Sequence, residues 1–148
     1  MSTNKEVSYA AQVLLARREH SQLQLRTKLQ LRGFQIDIIE EVIFALAQAN
    51  LQCDMRYAEA CFKIKVEQGY GPNFIRQYLG KQGISSSLID DVFAKSDIDW
   101  IECIEQVWCK KFAVEPKDLK EKYRQQKFLY YRGFDSEHIN QLYILLKT

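Results

Sequence analysis

The chain has 148 residues, 47% hydrophobic and 27% charged, with a formal net charge of +2 at pH 7. This length suits one ordinary domain or a short array of small units, and the composition is that of a globular protein, not a disordered or fibrous one. A charge this close to neutral does not by itself point to nucleic acid, and no apolar run approaches the roughly 20 residues of a membrane-spanning helix, so no membrane partner is expected. Only two prolines occur and long apolar–polar alternation is absent, which predicts an all-helical chain.

Met1–Glu6 is polar and is followed by no apolar core, so a secretory signal is not expected, and the protein is placed in the cytoplasm. Residues 5–18 form the first predicted helix, with Tyr9, Ala10, Val13 and Leu14 as its stripe. It ends in Arg17-Arg18, which either complement the negative helix end or contact a phosphate or acidic partner. Ser21-Gln22-Leu23-Gln24 has capping-box form and opens a second helix to about Arg32, in which Leu25 and Leu29 point inward, Arg26 points away, and Lys28 and Arg32 flank the apolar side. Gly33 stops that helix. Gln35 or Asp37 opens a third, with Ile38, Ile39, Val42, Ile43 and Leu46 facing the core and Asn50 as a left-handed cap.

Asp54 is the expected N-cap of a helix over 55–67 that buries Tyr57, Ala58, Cys61 and Phe62. Gly69, Gly71 and Pro72 break it, and Pro72 suits the first turn of the next helix. At about 100° per residue, Phe74, Ile75, Tyr78 and Leu79 share one face there, while Arg76, Gln77, Gly80 and Lys81 share the other. Gly83 fits a left-handed helix end, and Ser85 caps a helix over about 86–95. Asp97 or Asp99 opens a helix with Trp100, Ile104, Val107, Trp108 and Phe112 that closes at Lys110-Lys111. Pro116 is expected to start the next helix, rich in Lys117, Lys120, Lys122, Arg124, Lys127 and Arg132 beside Tyr123, Phe128, Leu129, Tyr130 and Tyr131. A last helix, 135–147, packs Ile139, Leu142, Tyr143 and Leu146, with His138 a partly buried neutral imidazole.

Gly33, Gly83 and Gly133 are 50 residues apart. Leu29, Leu79 and Leu129 lie four before them; Ile39, Ile89 and Ile139 lie six after; Val42, Val92 and Leu142 lie nine after. Arg26 and Arg76 lie seven before, and Arg32 and Arg132 one before. Alignment at so many positions is an internal repeat. The predicted architecture is three tandem three-helix repeats, 1–52, 53–96 and 97–148, in an elongated, curved helical array.

The chain has no G-x-x-x-x-G-K-S/T, G-x-S-x-G or H-E-x-x-H motif. Cys53, Cys61, Cys103 and Cys109 form no C-x-x-C pair, and His20 and His138 stand far from any such set, so reduced thiols and neither metal nor cofactor are expected. Glu40-Glu41 and Asp90-Asp91 diverge by about 100° on helices and read as solvated faces, so catalysis is not expected. The cations carry more information. Arg17, Arg18, Arg26, Lys28, Arg32, Arg76, Lys81, Arg124, Lys127 and Arg132 gather in or just before the middle helix of each repeat. A periodic basic ridge fits a periodic anionic partner, either nucleic acid or a protein filament with acidic grooves; the competing reading is ordinary solubilisation of helices.

The chain resembles the RecX family of RecA regulators. The resemblance rests on Arg17-Arg18-Glu19-His20-Ser21 with Leu25-Arg26 and Leu29, and on Gly69-Tyr70-Gly71-Pro72 with Ile75-Arg76, Leu79 and Gly83-Ile84. Asp97-Ile98-Asp99-Trp100 and Phe128-Leu129-Tyr130-Tyr131-Arg132-Gly133-Phe134 complete it. It extends from about Ala10 to Leu146. It implies three tandem three-helix repeats and a non-enzymatic protein; separately, a monomer is expected. That protein would bind the RecA–single-stranded-DNA filament, suppress its extension, ATP hydrolysis and strand exchange, and touch single-stranded DNA only weakly or indirectly. Asn50, Cys53 and Glu67 depart from the glycine, acidic and basic residues common in relatives. The alternative function is a direct nucleic-acid-binding helical module.

Overall fold

The structure, a computed structural model, describes residues 3–147; Met1 and Ser2 of the polar Met1–Glu6 stretch, and Thr148, lie outside the described residues. Among the described residues there are nine helices and no strand: α1 (Asn4–Arg17), α2 (Gln22–Leu31), α3 (Ile36–Gln48), α4 (Asp54–Glu67), α5 (Pro72–Lys81), α6 (Ser86–Lys95), α7 (Trp100–Lys111), α8 (Leu119–Tyr131) and α9 (Ser136–Leu146).

The 50-residue repeat is the period of one helix-ending device. Gly33, Gly83 and Gly133 have φ of +89°, +84° and +104°, the left-handed conformation that glycine adopts without a Cβ penalty. After each glycine the next amide turns back: Phe34 N–H donates to the Leu29 carbonyl at 3.4 Å, Ile84 to Leu79 at 3.1 Å and Phe134 to Leu129 at 3.2 Å. This six-to-one bond is the Schellman closure of a helix end. Each of the three leucines therefore serves twice, with a fully buried side chain and a carbonyl that closes the helix. Asn50, at φ +60°, ends α3 in the same way, with Leu51 N–H on the Leu46 carbonyl at 2.9 Å.

Helix starts follow local chemistry. Ser21 and Gln24 form both bonds of the capping box. Ser85, Asp99, Asp118 and Asp135 each accept a first-turn amide of α6, α7, α8 and α9. Two starts differ from expectation. Asp54 does not cap α4; it is the helix's first residue, and its Oδ1 accepts the Gln22 amide of α2 at 2.9 Å and the Gln52 side chain at 2.8 Å. Asp54 thus satisfies an orphan donor at the positive end of a different helix. Pro116 does not start α8. Asp118 Oδ1 holds the Glu121 amide at 2.8 Å while Glu121 Oε2 holds the Lys117 amide at 2.8 Å, so this reciprocal pair sets the start at Leu119.

The chain divides into two compact units. The first comprises residues 3–61 with Leu79–Ala94, around Val7, Leu14, Leu25, Leu29, Ile39 and Ile43. Gln24 bridges it internally, donating to Tyr57 Oη at 3.2 Å and Gln82 Oε1 at 2.9 Å. The second comprises Phe62–Tyr78 with residues 95–147, around Ile104, Trp108, Leu129, Phe134, Ile139 and Leu142. Its core holds a buried amide: Gln125 Oε1 accepts from Trp108 Nε1 at 2.9 Å and Tyr143 Oη at 2.8 Å, and Gln125 Nε2 donates to the Val114 carbonyl at 3.2 Å. Burial pushes the Tyr143 hydroxyl up to about 12.

The Gly69-Tyr70-Gly71-Pro72 segment is bound along the end of α8. Gly71 N–H donates to the Arg132 carbonyl at 2.7 Å and Asn73 N–H to the Gly133 carbonyl at 2.9 Å. A Cβ on Gly71 would lie 2.5 Å from the Gly133 carbonyl carbon, so the two backbones meet only because a side chain is missing there.

Candidate functional site

In the first unit, Arg17 ends α1, Arg18 takes an extended conformation, and the chain turns through Glu19 and His20 into the Ser21 cap. His20 is 1% exposed. Its Nδ1 lies 2.9 Å from the Arg18 carbonyl, and its Nε2 lies 2.9 Å from Lys28 Nζ. A carbonyl only accepts and an ammonium only donates, so both contacts are hydrogen bonds in one tautomer: Nδ1 protonated, Nε2 bare. Burial holds the His20 pKa below its ordinary value, with the Lys28 and Arg18 charges adding to the effect.

Lys28 is lowered as well, first by burial and then by the charges of Arg18, Arg17 and Arg32. The charges of three other cations expected to belong to the ridge therefore reach Lys28, whose ammonium rests on the His20 imidazole. Glu19, in the same turn, is engaged by Arg56: Arg56 Nε donates to Glu19 Oε1 at 3.1 Å, and Arg56 is itself fixed by Asn50 Oδ1 and the Asn50 carbonyl. Arg17, Arg18 and Arg32 remain exposed. Like charges gathered on a surface open to solvent attract an anionic partner.

The other expected cations are used differently. Arg26, seven before its glycine, is half-buried and forms a two-bond ion pair with Glu40, which raises the guanidinium pKa and lowers that of the carboxyl. Its charge is spent locally. Arg76 and Lys81 are exposed on α5, Lys81 in the last turn, where a cation complements the helix end.

In the second unit, Arg132 clamps the Gly-Tyr-Gly-Pro segment. Its Nη2 donates to the Gln68 carbonyl and its guanidinium lies 4.3 Å from the Tyr70 ring centre. Tyr70 stacks on Phe74 at 4.0 Å, Phe74 on Tyr78 at 6.1 Å, and Lys65 covers Tyr78 at 4.3 Å. A cation closes each end of this aromatic column, and such contacts contribute roughly 0.5–2 kcal/mol apiece. Arg124 and Lys127 are exposed on α8, with Lys127 Nζ 5.9 Å from the Tyr131 ring. Among the described residues no group of three or more His, Cys, Asp or Glu side chains is placed to hold a metal.

Sequence reasoning did not single out His20, Arg56 or the Tyr70–Phe74–Tyr78 column. The column's signal was its i, i+4, i+8 spacing. Arg56 gave none, because Glu19 is 37 residues away, and His20 entered only within a motif, its Lys28 contact lying 8 residues on.

Three family models match consecutive parts of the chain: the first RecX three-helix domain over residues 10–44, the second over 54–92 and the third over 97–142. The chain is 38% identical over 143 residues to the regulatory protein RecX of Pseudomonas entomophila (strain L48), covering 96% of this chain and 92% of that one. It is 38% identical over 137 residues to the regulatory protein RecX of Ectopseudomonas mendocina (strain ymp), covering 92% and 91%. The fold matches the crystal structure of RecX from Lactobacillus salivarius with a TM-score of 0.81 at 20% identity, over 97% of this chain and 96% of the other.

Proposed function

This chain belongs to the RecX family, and from that premise we propose that it is a negative regulator of the RecA recombinase. It binds the RecA–single-stranded-DNA filament and restrains its extension, ATP hydrolysis and strand exchange. It works as a cytoplasmic monomer and as a binding protein rather than an enzyme. The observation that carries the reading is likeness to RecX proteins over more than nine-tenths of both chains, covering all three helical repeats. The repeats have the proposed limits 1–52, 53–96 and 97–148.

The basic surface supplies the mechanism. Arg17, Arg18, Lys28 and Arg32 form one block whose mutual repulsion is relieved by an acidic groove on the filament. Lys81, Arg124 and Lys127 extend the basic character, whereas Arg26 and Arg132 act mainly by holding Glu40 and the Gly-Tyr-Gly-Pro segment. The test is co-sedimentation with RecA filaments on single-stranded DNA. Wild-type protein is expected to pellet with them. The double variant Arg17→Glu, Arg32→Glu is expected to bind at least tenfold more weakly, a loss of about 1.4 kcal/mol, with helical circular dichroism unchanged. Undiminished binding of that variant would remove the block from the interface, and failure of the wild type to pellet would remove the RecA reading.

A further inference from the structure

One face of α7 runs along a cavity of about 630 Å³ in the second unit. Cys103, Gln106, Val107, Lys110 and Lys111 stand at i, i+3, i+4, i+7 and i+8, a single helical stripe about 12 Å long. Phe128 and Arg132, one turn apart on α8, and Val66 and Glu67 at the end of α4 close the wall. A cavity of this size is in the range that holds a small molecule.

The wall carries a surplus of positive charge. Lys110, Lys111 and Arg132 face Glu67 as its one carboxylate. Both lysines are exposed, and neither is in an ion pair among the described residues. Lys111 Nζ lies 5.2 Å from the Phe128 ring centre and the Arg132 guanidinium 5.9 Å from it, so two of the cations converge on one ring. Phe112 holds that ring edge-on, with centres 5.5 Å apart. Arg132 Nη2 already meets the Gln68 carbonyl, which offsets the negative end of α4, but Arg132 Nε is buried with no hydrogen-bond partner. Nearly all buried donors in folded chains find an acceptor. An anion drawn to this wall supplies one after a small turn of the guanidinium.

The wall also selects among anions. A phosphate carries a charge of about −1.5 to −2 near neutral pH and three acceptor oxygens, which suits an arginine fork flanked by ammonium groups better than a single carboxylate does. Val66, Val107 and Phe128 are apolar, and the Gln106 amide stands beside them, so the phosphate is expected to carry an apolar or aromatic body.

We propose that the cavity formed by α7, α8 and the end of α4 binds a small organic phosphate, with its oxygens on Lys110, Lys111 and Arg132 and its body against Val66, Val107 and Phe128. The site needs no RecA, so its test is independent of the regulator reading.

The experiment is isothermal titration calorimetry of the full chain, without RecA and in magnesium-free buffer, with ATP as the probe. Tripolyphosphate has the charge without the body, and adenosine has the body without the charge. ATP is expected to bind, tripolyphosphate to bind at least about fivefold more weakly, and adenosine to give no measurable heat. The double variant Lys110→Gln, Lys111→Gln is expected to weaken ATP binding about tenfold, and Glu67→Gln to tighten it about threefold. A control pair outside the cavity, Lys117→Gln with Lys120→Gln, removes the same charge and should stay within about twofold of wild type. All these side chains are exposed, so circular dichroism should show the folded chain throughout. ATP is also expected to slow alkylation of the half-buried Cys103 thiol in the wall, but not that of the exposed Cys109. The proposal is overturned if ATP does not bind, if tripolyphosphate binds as tightly, or if the control pair loses as much as the Lys110, Lys111 pair. It is also overturned if ATP leaves Cys103 unprotected, which would put the anion elsewhere, or if oligothymidylate displaces ATP and protects Cys103 itself, which would make this wall a strand contact.

Discussion

Replacing Gly71 with alanine is expected to destabilise the second unit by about 3 kcal/mol. The added Cβ would lie 2.5 Å from the carbonyl carbon of Gly133, 2.6 Å from its oxygen and 2.6 Å from the Phe134 nitrogen. All three are backbone atoms, so no side chain can swing aside. The segment has to lift off the end of α8. Lifting sacrifices the Gly71–Arg132 and Asn73–Gly133 hydrogen bonds, each worth about 1 kcal/mol net. It also loosens the Arg132–Tyr70 contact, worth roughly another 0.5–1 kcal/mol. For a chain of this size the sum corresponds to a fall in Tm of roughly 6–12 °C. Trp100 and Trp108 are the two tryptophans of the chain and both lie in this unit, so tryptophan fluorescence on heating reads the right part of the molecule. Gly33→Ala is the control: its φ is +89° but nothing lies within 4 Å of the new Cβ, so it bears only the cost of a left-handed residue, about 1 kcal/mol. A Gly71→Ala protein melting within about 2 °C of wild type, or a Gly33→Ala protein losing more than Gly71→Ala, would refute the close-approach reasoning.

Two pH effects follow from buried titratable groups. Tyr143 is raised to about 12. The unfolded chain therefore loses this proton near 10 while the folded chain keeps it, so stability is full below pH 10 and falls as pH rises toward 12, by at most about 1.4 kcal/mol per unit. Tyr143→Phe should flatten that alkaline slope in urea titrations, and an unchanged slope would mean that the hydroxyl is not shielded. His20 is lowered, so below about pH 6.5 the unfolded chain binds a proton that the folded one resists, and stability falls as pH drops. Circular dichroism melts at acid and neutral pH should show a smaller loss for His20→Gln than for wild type; equal losses would place the acid sensitivity elsewhere.

Much of the fold was legible because repeats enforce the same physics three times. Leu29, Leu79 and Leu129 are fully buried, and the glycines after them are all left-handed, as the 50-residue period implied. Caps written in adjacent residues, such as Ser21 with Gln24, were equally readable. What the sequence hid depends on distant partners. Asp54 looked like a cap for its own helix, but its carboxylate serves Gln22, 32 residues away. Gly71 looked like a helix breaker, but it also clears space for Gly133. Gln125 carried no signal in the sequence, yet it is the polar centre of a core, because Trp108 and Tyr143 converge on it from two other helices. The candidate site was half legible. Sequence spacing made Arg26 and Arg76 equivalent, but it did not show that Arg26 pairs with Glu40, a carboxylate that α3 brings beside it only in the fold. The grouping of Arg17, Arg18, Lys28 and Arg32 around His20 needed the turn between α1 and α2 to be seen in space.

The most direct test of the regulator account is single-stranded-DNA-dependent ATP hydrolysis by RecA, titrated with this protein. The account predicts inhibition at well below one protein per RecA, because a molecule bound to the filament blocks more than the protomer it touches. Inhibition only when the protein is in excess over DNA sites would make it a competitor for the strand, and no inhibition at any ratio would contradict the account.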